Sequence, residues 1–231
     1  MIIKNFKYNE IYNIGALDLL KIIPDKSIDL TFFDPPYNVG KDYGKYKDNL
    51  SMSAYIIFMK NVIKECDRVS KRGIGIYIDW KQFKLYWHTL LPEAEPIIIY
   101  KRSSGFIFSR LRIMQHYHII LTTARAMMPV KSLWDDIRVL GEGYLFNEEK
   151  FKHPAQTSLK ATKRFIECFS EENEIILDPF MGIGTTAVAA RSINRRYVGA
   201  ELNNDYIQIA KKRLAQTQLN YTNKNNIDAI K

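Results

Sequence analysis

Apolar and polar positions fall into short blocks along this chain, and the blocks change period. Tyr8 to Asn13 reads as a short strand, and Ala16 to Ile23 as a short helix or turn closed by Pro24-Asp25. Ile28 to Phe33, with apolar Ile28, Leu30, Phe32 and Phe33, reads as a buried strand. Met52 to Ser70 places Ile56, Met59, Ile63 and Cys66 at helical spacing, and Gly73 ends the helix. Ile74 to Ile78 predicts a strand, Lys81 to Leu91 a helix stopped by Pro92, and Pro96 to Tyr100 and Tyr117 to Thr123 two more strands. Gln156 to Phe169 predicts a helix, Glu174 to Leu177 a strand, and Thr185 to Ser192 a helix of small residues. Tyr197 to Ala200 is a strand ending at Glu201, and Asn204 to Ala215 a helix. The segment from Gln216 to Lys231 reads as a polar, Asn-rich tail.

Strands alternating with helices predict an α/β fold with a doubly wound, mainly parallel sheet. At 231 residues the chain is most simply one domain. Lys101 to Lys152 breaks the rhythm. From residue 101 to 138 it holds Lys101, Arg102, Arg110, Arg112, Arg125, Lys131 and Arg138 against only Asp135 and Asp136.

Composition narrows the class. With 46% hydrophobic residues the chain can bury a sizeable core. A formal charge of +9 and a pI of about 9.4 favour a polyanionic partner. The N-terminus is interrupted by Lys4 before an apolar region forms, so it predicts no signal peptide. No apolar stretch reaches the roughly 18–20 residues that a membrane span needs, so no membrane partner is expected. Cys66 and Cys168, both in predicted helices, suggest reduced thiols in a cytoplasmic protein. The histidines and cysteines show no zinc spacing, and His116-x-His118 is the one pair placed on a single strand face; no metal is expected.

Two motifs carry chemistry. Asp34-Pro35-Pro36-Tyr37 follows a predicted strand and so stands where open α/β sheets bind ligands. The Asp34 carboxylate and the Pro35 carbonyl can each accept a hydrogen bond from an exocyclic amino group. That draws the nitrogen lone pair out of ring conjugation and makes it nucleophilic. The prolines restrict the backbone and aim the carbonyl. Tyr37 can stack on the base, which contributes ~1–3 kcal/mol.

The second motif is Asp178-Pro179-Phe180-Met181-Gly182-Ile183-Gly184-Thr185. Gly182 and Gly184 let the backbone approach a ligand, and the next helix opens at Thr185 with free N–H groups. Glu201 lies 17 residues after Gly184, at the end of the next strand, where an acid can accept from ribose hydroxyls. Ala187 stands where a dinucleotide fingerprint has its third glycine, so a nucleoside without pyrophosphate fits better.

With both motifs in view, the chain resembles the amino-group DNA methyltransferases, catalytic loop first and cofactor loop last as in the beta class. Leu20 to Leu30, Asn38, His153-Pro154-Ala155-Gln156 and Tyr197 to Glu201 add to the likeness. The Asp-Pro-Pro-Tyr form is similar to that of N6-adenine enzymes. The resemblance implies a seven-stranded sheet of the S-adenosylmethionine-dependent methyltransferase type with helices on both faces. It implies S-adenosyl-L-methionine as cofactor and a flipped-out adenine in double-stranded DNA as substrate. Asp34, Pro35, Pro36 and Tyr37 would be catalytic. Ile14, Gly15, Asp34, His153, Asp178, Phe180, Gly182, Gly184, Thr185 and Glu201 would bind the cofactor, and residues 101–152 would form a target-recognition insert. The likeness also admits a homodimer and a cognate restriction endonuclease. The chain departs from the family where Asn13-Ile14-Gly15 lacks the usual acid, and where Thr157-Ser158 replaces Lys-Pro.

Other readings stay open. N4-cytosine or RNA-amino methylation would use the same pocket. A binding relative without catalysis would keep the fold, and a dinucleotide enzyme is disfavoured by the missing glycine. C5-cytosine chemistry needs a thiolate, usually after proline, but Cys66 and Cys168 each follow a glutamate.

Overall fold

Both faces of the sheet are covered, and the first signs are two neighbouring phenylalanines. The computed structural model describes residues 7–40, 48–100, 117–137 and 157–228, with side chains as far as 217. β1 (Glu10–Tyr12) leads through α1 (Ala16–Ile22) to β2 (Leu30–Phe33), and α2 (Met52–Val69) leads to β3 (Ile74–Ile78). A 3-10 turn (Trp80–Gln82), α3 (Phe83–Leu85) and a π turn (Tyr86–Leu90) precede β4 (Glu95–Tyr100), β5 (Tyr117–Thr122) and β6 (Leu133–Trp134). Then come α4 (Leu159–Phe169), β7 (Ile175–Asp178), α5 (Thr185–Arg191), β8 (Arg196–Ala200) and α6 (Asn204–Asp228).

Successive strand residues point to opposite faces. Phe32 enters a cluster with Phe165, Ile166, Ala187 and Ile207, from α4, α5 and α6. Phe33 enters another with Leu19, Leu20, Met59, Val62 and Tyr86, from α1, α2 and the π turn. The α4 contact is close. A Cβ on Gly75 would stand 2.3 Å from Phe165 Cζ, so only glycine lets that ring lie on β3. Phe165 also packs on Phe32, with ring centroids 4.8 Å apart.

The strand order is β1-β8-β7-β2-β3-β5-β4-β6. Only β5 opposes its neighbours; the other pairs are parallel. The doubly wound, mainly parallel architecture is as expected. Among the described residues the sheet has eight strands rather than seven. The extra one, β6, is two residues long and has no apolar run to announce it. The described part of the basic middle stretch supplies β5 and β6 to this same sheet.

Two other elements differ from expectation. Lys81 to Leu91 is not one α-helix. Asp79 accepts from the Lys81 N–H at 2.9 Å and tightens the first turn, while the Leu91 N–H reaches back five residues to the Tyr86 carbonyl at 2.7 Å. The expected polar tail is instead helical, for α6 continues to Asp228. No glycine or proline interrupts it from Asn204 onward.

From β2 the chain winds outward to β3, and from β7 it winds outward the other way to β8. The switch point therefore lies between β2 and β7, and a crevice opens beyond their C-terminal ends. Both motifs stand there.

Candidate active site

Four parallel strands end on one cavity of about 400 Å³. Asp34, Pro35, Pro36 and Tyr37 line it from β2, and Ile14 and Gly15 from β1. Asp178, Phe180, Gly182, Thr185 and Glu201 line it from β7 and β8. The volume suits a small-molecule ligand.

The first loop is held from three directions. The Tyr55 hydroxyl on α2 donates to the Pro36 carbonyl at 2.8 Å and lies 2.7 Å from the Tyr86 hydroxyl. Gln82 Nε2 donates to the Tyr37 carbonyl at 3.1 Å. The Tyr37 hydroxyl shares its proton between Asp34 Oδ1 and the Tyr77 carbonyl on β3, the latter at 2.8 Å. The Thr157 hydroxyl donates to Asp34 Oδ2 at 2.6 Å. Burial, and then the adjoining Asp34 carboxylate, push the Tyr37 phenol well above its ordinary value, so it stays an O–H donor. Downstream, Asp48 accepts from the N–H groups of Asn38 and Val39 at 2.7 and 2.9 Å and fixes the exit of the loop.

The second loop is built on backbone groups. Asp178 Oδ1 accepts from the Phe180 N–H at 2.8 Å. Phe180 then packs between Phe33 and Phe58, at centroid distances of 5.6 and 6.2 Å. Gly182 and Gly184 both adopt positive φ, at 52° and 82°. The Gly182 N–H donates to Glu201 Oε2 at 2.8 Å, and the Asn203 N–H to Oε1 at 2.7 Å. From behind, buried Arg213 of α6 donates to the Ile183 carbonyl at 2.7 Å and to Thr185 Oγ1 at 3.2 Å. Asn13 Nδ2 donates to the carbonyls of Glu201 and Leu202 at 2.9 and 3.0 Å, which joins the ends of β1 and β8.

The cavity is acidic inside a basic chain. Asp18, Asp34, Asp178 and Glu201 line it, with Lys21 as the basic residue. Burial pushes Asp178 up to about 7, with a smaller push from Asp34 and Glu201 and an opposing pull from the Thr186 and Phe180 donors. Burial also raises Glu201, against three backbone N–H groups that favour its charged form. The field inside suits a ligand with a positive centre and opposes a pyrophosphate. Burial pushes the Cys66 thiol well up, so it is not a poised nucleophile.

Gly184 is not among the lining residues. It stands at the start of α5, where a Cβ would meet Ala210 Cβ at 2.7 Å. His153 lies outside the described residues, as do Lys101, Arg102, Arg110, Arg112, His116 and Arg138. Arg125 and Lys131 are described and exposed. Sequence reasoning missed Asp18, Phe58 and Thr157 as lining residues. Asp18 had a signal: it lies one helical turn beyond Gly15 and so returns to the same strand end. Thr157 showed only as a departure from the family pattern, and Phe58 had no signal, because it comes from a helix distant along the chain.

Comparisons with known proteins agree with this geometry. A family model for N6/N4 enzymes, described as DNA methylase, matches residues 28–122 and 90–212. The chain is 31% identical over 231 residues to the type II methyltransferase M.HpaI of Haemophilus parainfluenzae, covering 87% of this chain and 72% of that protein. It is 30% identical over 239 residues to the DNA adenine methyltransferase YhdJ of Escherichia coli K12, covering 86% and 80%. Among solved structures, the M1.HpyAVI-SAM complex superposes with a TM-score of 0.61 at 24% identity, covering 89% of this chain and 99% of the other. The cytosine-N4-specific PvuII DNA methyltransferase superposes at 0.65 with 16% identity, covering 90% and 86%. At those identities the structural likeness speaks for the fold.

Proposed function

Because this chain belongs to the N6/N4 DNA methylase family, we propose that it methylates adenine N6 in duplex DNA, using S-adenosyl-L-methionine. One observation carries the reading. The Asp34 carboxylate and the Glu201 carboxylate, each at the end of its own parallel strand, face the same cavity.

The residues present fit the cofactor. Glu201 would accept hydrogen bonds from the ribose hydroxyls, and Gly182 would allow close backbone approach. Asp178 and its acidic neighbours suit the two positive centres of the cofactor, its α-ammonium and its sulfonium. When bound, the cofactor supplies an electrophilic methyl group. Asp34 and the Pro35 carbonyl accept hydrogen bonds from the two N–H groups of the target amine and raise its nucleophilicity, while Tyr37 presents an aromatic surface to the base. Positioning and electrostatics carry such a reaction without a covalent enzyme intermediate. A base inside the duplex must first leave the stack, at a cost of a few kcal/mol.

The net charge of +9 supports a DNA partner. Likeness to type II methyltransferases supports a restriction–modification role, with a cognate endonuclease as counterpart. A homodimer and a cytoplasmic location complete the proposal. Adenine is preferred to cytosine on the Asp-Pro-Pro-Tyr tetrapeptide and on the likeness to YhdJ. Nucleoside analysis of duplex DNA after incubation with the protein and the cofactor tests this. N6-methyladenine is expected. N4-methylcytosine alone, or modification confined to RNA, overturns the substrate assignment, and the absence of any transfer overturns the enzyme.

A further inference from the structure

We propose that Thr157 is a positioning residue for methyl transfer, its hydroxyl fixing the Asp34 carboxylate in the orientation that receives the target amino group. The inference rests on the function proposed above and adds a residue that the function does not contain. Thr157 Oγ1 donates to Asp34 Oδ2 at 2.6 Å, and both residues line the cavity. The Tyr37 hydroxyl meets the other oxygen, Oδ1.

A carboxylate at the end of an aspartate side chain turns easily, because its χ2 well is broad. With one donor it can swing, whereas a donor on each oxygen fixes its plane. An ionised carboxylate offers about four lone-pair positions, more than two hydroxyl donors take up. A hydroxyl also aligns the group without cancelling its charge, as an ammonium would. Charge is what the acceptor of an amine hydrogen needs.

The donor is rigidly mounted. Thr157 directly precedes Ser158, which is buried and caps α4 by accepting from the Ala161 N–H at 3.3 Å. The Thr162 hydroxyl donates to the Ser158 carbonyl at 2.9 Å and ties the same turn down. α4 rests on β2 through Phe165 and Phe32, and Asp34 directly follows β2. Two residues 123 positions apart are thus carried by elements in direct contact.

The test compares the parent chain with Thr157→Val and Thr157→Ser. Tritium transfer to duplex DNA gives kcat and KM, and calorimetry gives the Kd for S-adenosylmethionine. Thr157→Val is expected to lower kcat about 10- to 100-fold, the scale of a misplaced catalytic group. The cofactor Kd and the KM for DNA should stay within about threefold, and Thr157→Ser should keep kcat within about threefold of the parent. Undiminished kcat in Thr157→Val overturns the proposal. So does a loss confined to cofactor affinity, which would make Thr157 a cofactor contact. A Thr157→Ser chain as slow as Thr157→Val also overturns it, since the hydroxyl would then not be what matters. Should Thr157→Val fail to fold, Thr157→Ala takes its place against Thr157→Ser. A parent chain that binds the cofactor but methylates no nucleic acid overturns the function itself, and this inference with it.

Discussion

The backbone N–H of Gly182 and the carboxylate of Glu201 meet at 2.8 Å, and that contact joins the loop after β7 to the end of β8. The Asn203 N–H takes the other carboxylate oxygen at 2.7 Å. Backbone donors on both oxygens therefore set the plane of a carboxylate that lines the cavity.

Replacing Glu201 with alanine should weaken S-adenosylmethionine binding about 10- to 100-fold, as expected for losing hydrogen bonds to a charged group. Glu201→Gln should fall between that variant and the parent. Calorimetry on the purified variants checks both. Equal affinity in all three would remove Glu201 from the cofactor site.

Asp34→Ala should lower kcat for DNA methylation at least about 100-fold, the scale seen when one preorganised polar contact is lost from a reacting centre. The chain should still fold, because Asp34 is only half-buried and lies beyond the end of β2. Single-turnover transfer to duplex DNA measures it, with circular dichroism as the folding control.

Asp178, raised by burial from 3.8 to about 7, binds its proton more tightly in the folded chain than in the unfolded one. Below the lower value both states hold the proton. Between the two values the folded state holds more protons, so stability falls as pH rises. Urea unfolding should show the decline from about pH 4 to pH 7, and Asp178→Asn should flatten it. Cofactor affinity should run the other way, rising through about pH 7 as Asp178 gains its charge, with the rise lost in Asp178→Asn.

Gly75→Ala would place a methyl group 2.3 Å from Phe165 Cζ and 3.0 Å from Phe32 Cδ2. Overpacking of this kind costs about 1–3 kcal/mol. A lowered urea midpoint is expected, with much of the loss recovered in the Gly75→Ala, Phe165→Leu double variant. Additive losses would show that the two positions do not meet.

The strands that deliver the site were legible because each is a short apolar run stopped by a distinctive turn. Phe33 gives way to Asp34-Pro35-Pro36, and Leu177 to Asp178-Pro179. Parallel pairing of β2 with β7 then brought two distant motifs to one cavity. Elements without such punctuation were misjudged. Leu133–Trp134 is too short to show a period, and residues 80–90 mix three helical geometries because Asp79 and Tyr86 draw the backbone into turns of different pitch. The last helix was ended at Ala215 because the residues that follow are polar, yet polarity alone does not end a helix. Thr157 was visible only as a departure from a family pattern. Its contact with Asp34 depends on where α4 sits on the sheet, and no local spacing encodes that.

The pairing between β2 and β7 consists of two registered residue pairs, Leu30 with Ile176 and Thr31 with Leu177, whereas β7 and β8 share four. The two lips of the cavity thus meet along a short seam, which the Asp29 N–H extends by donating to the Ile175 carbonyl at 3.1 Å. A guest gripped by both lips would act as a clasp across that seam, so substrate occupancy and mechanical cohesion become one property. At a hundredfold excess over its Kd, such a guest would add about 2.7 kcal/mol of resistance to unfolding.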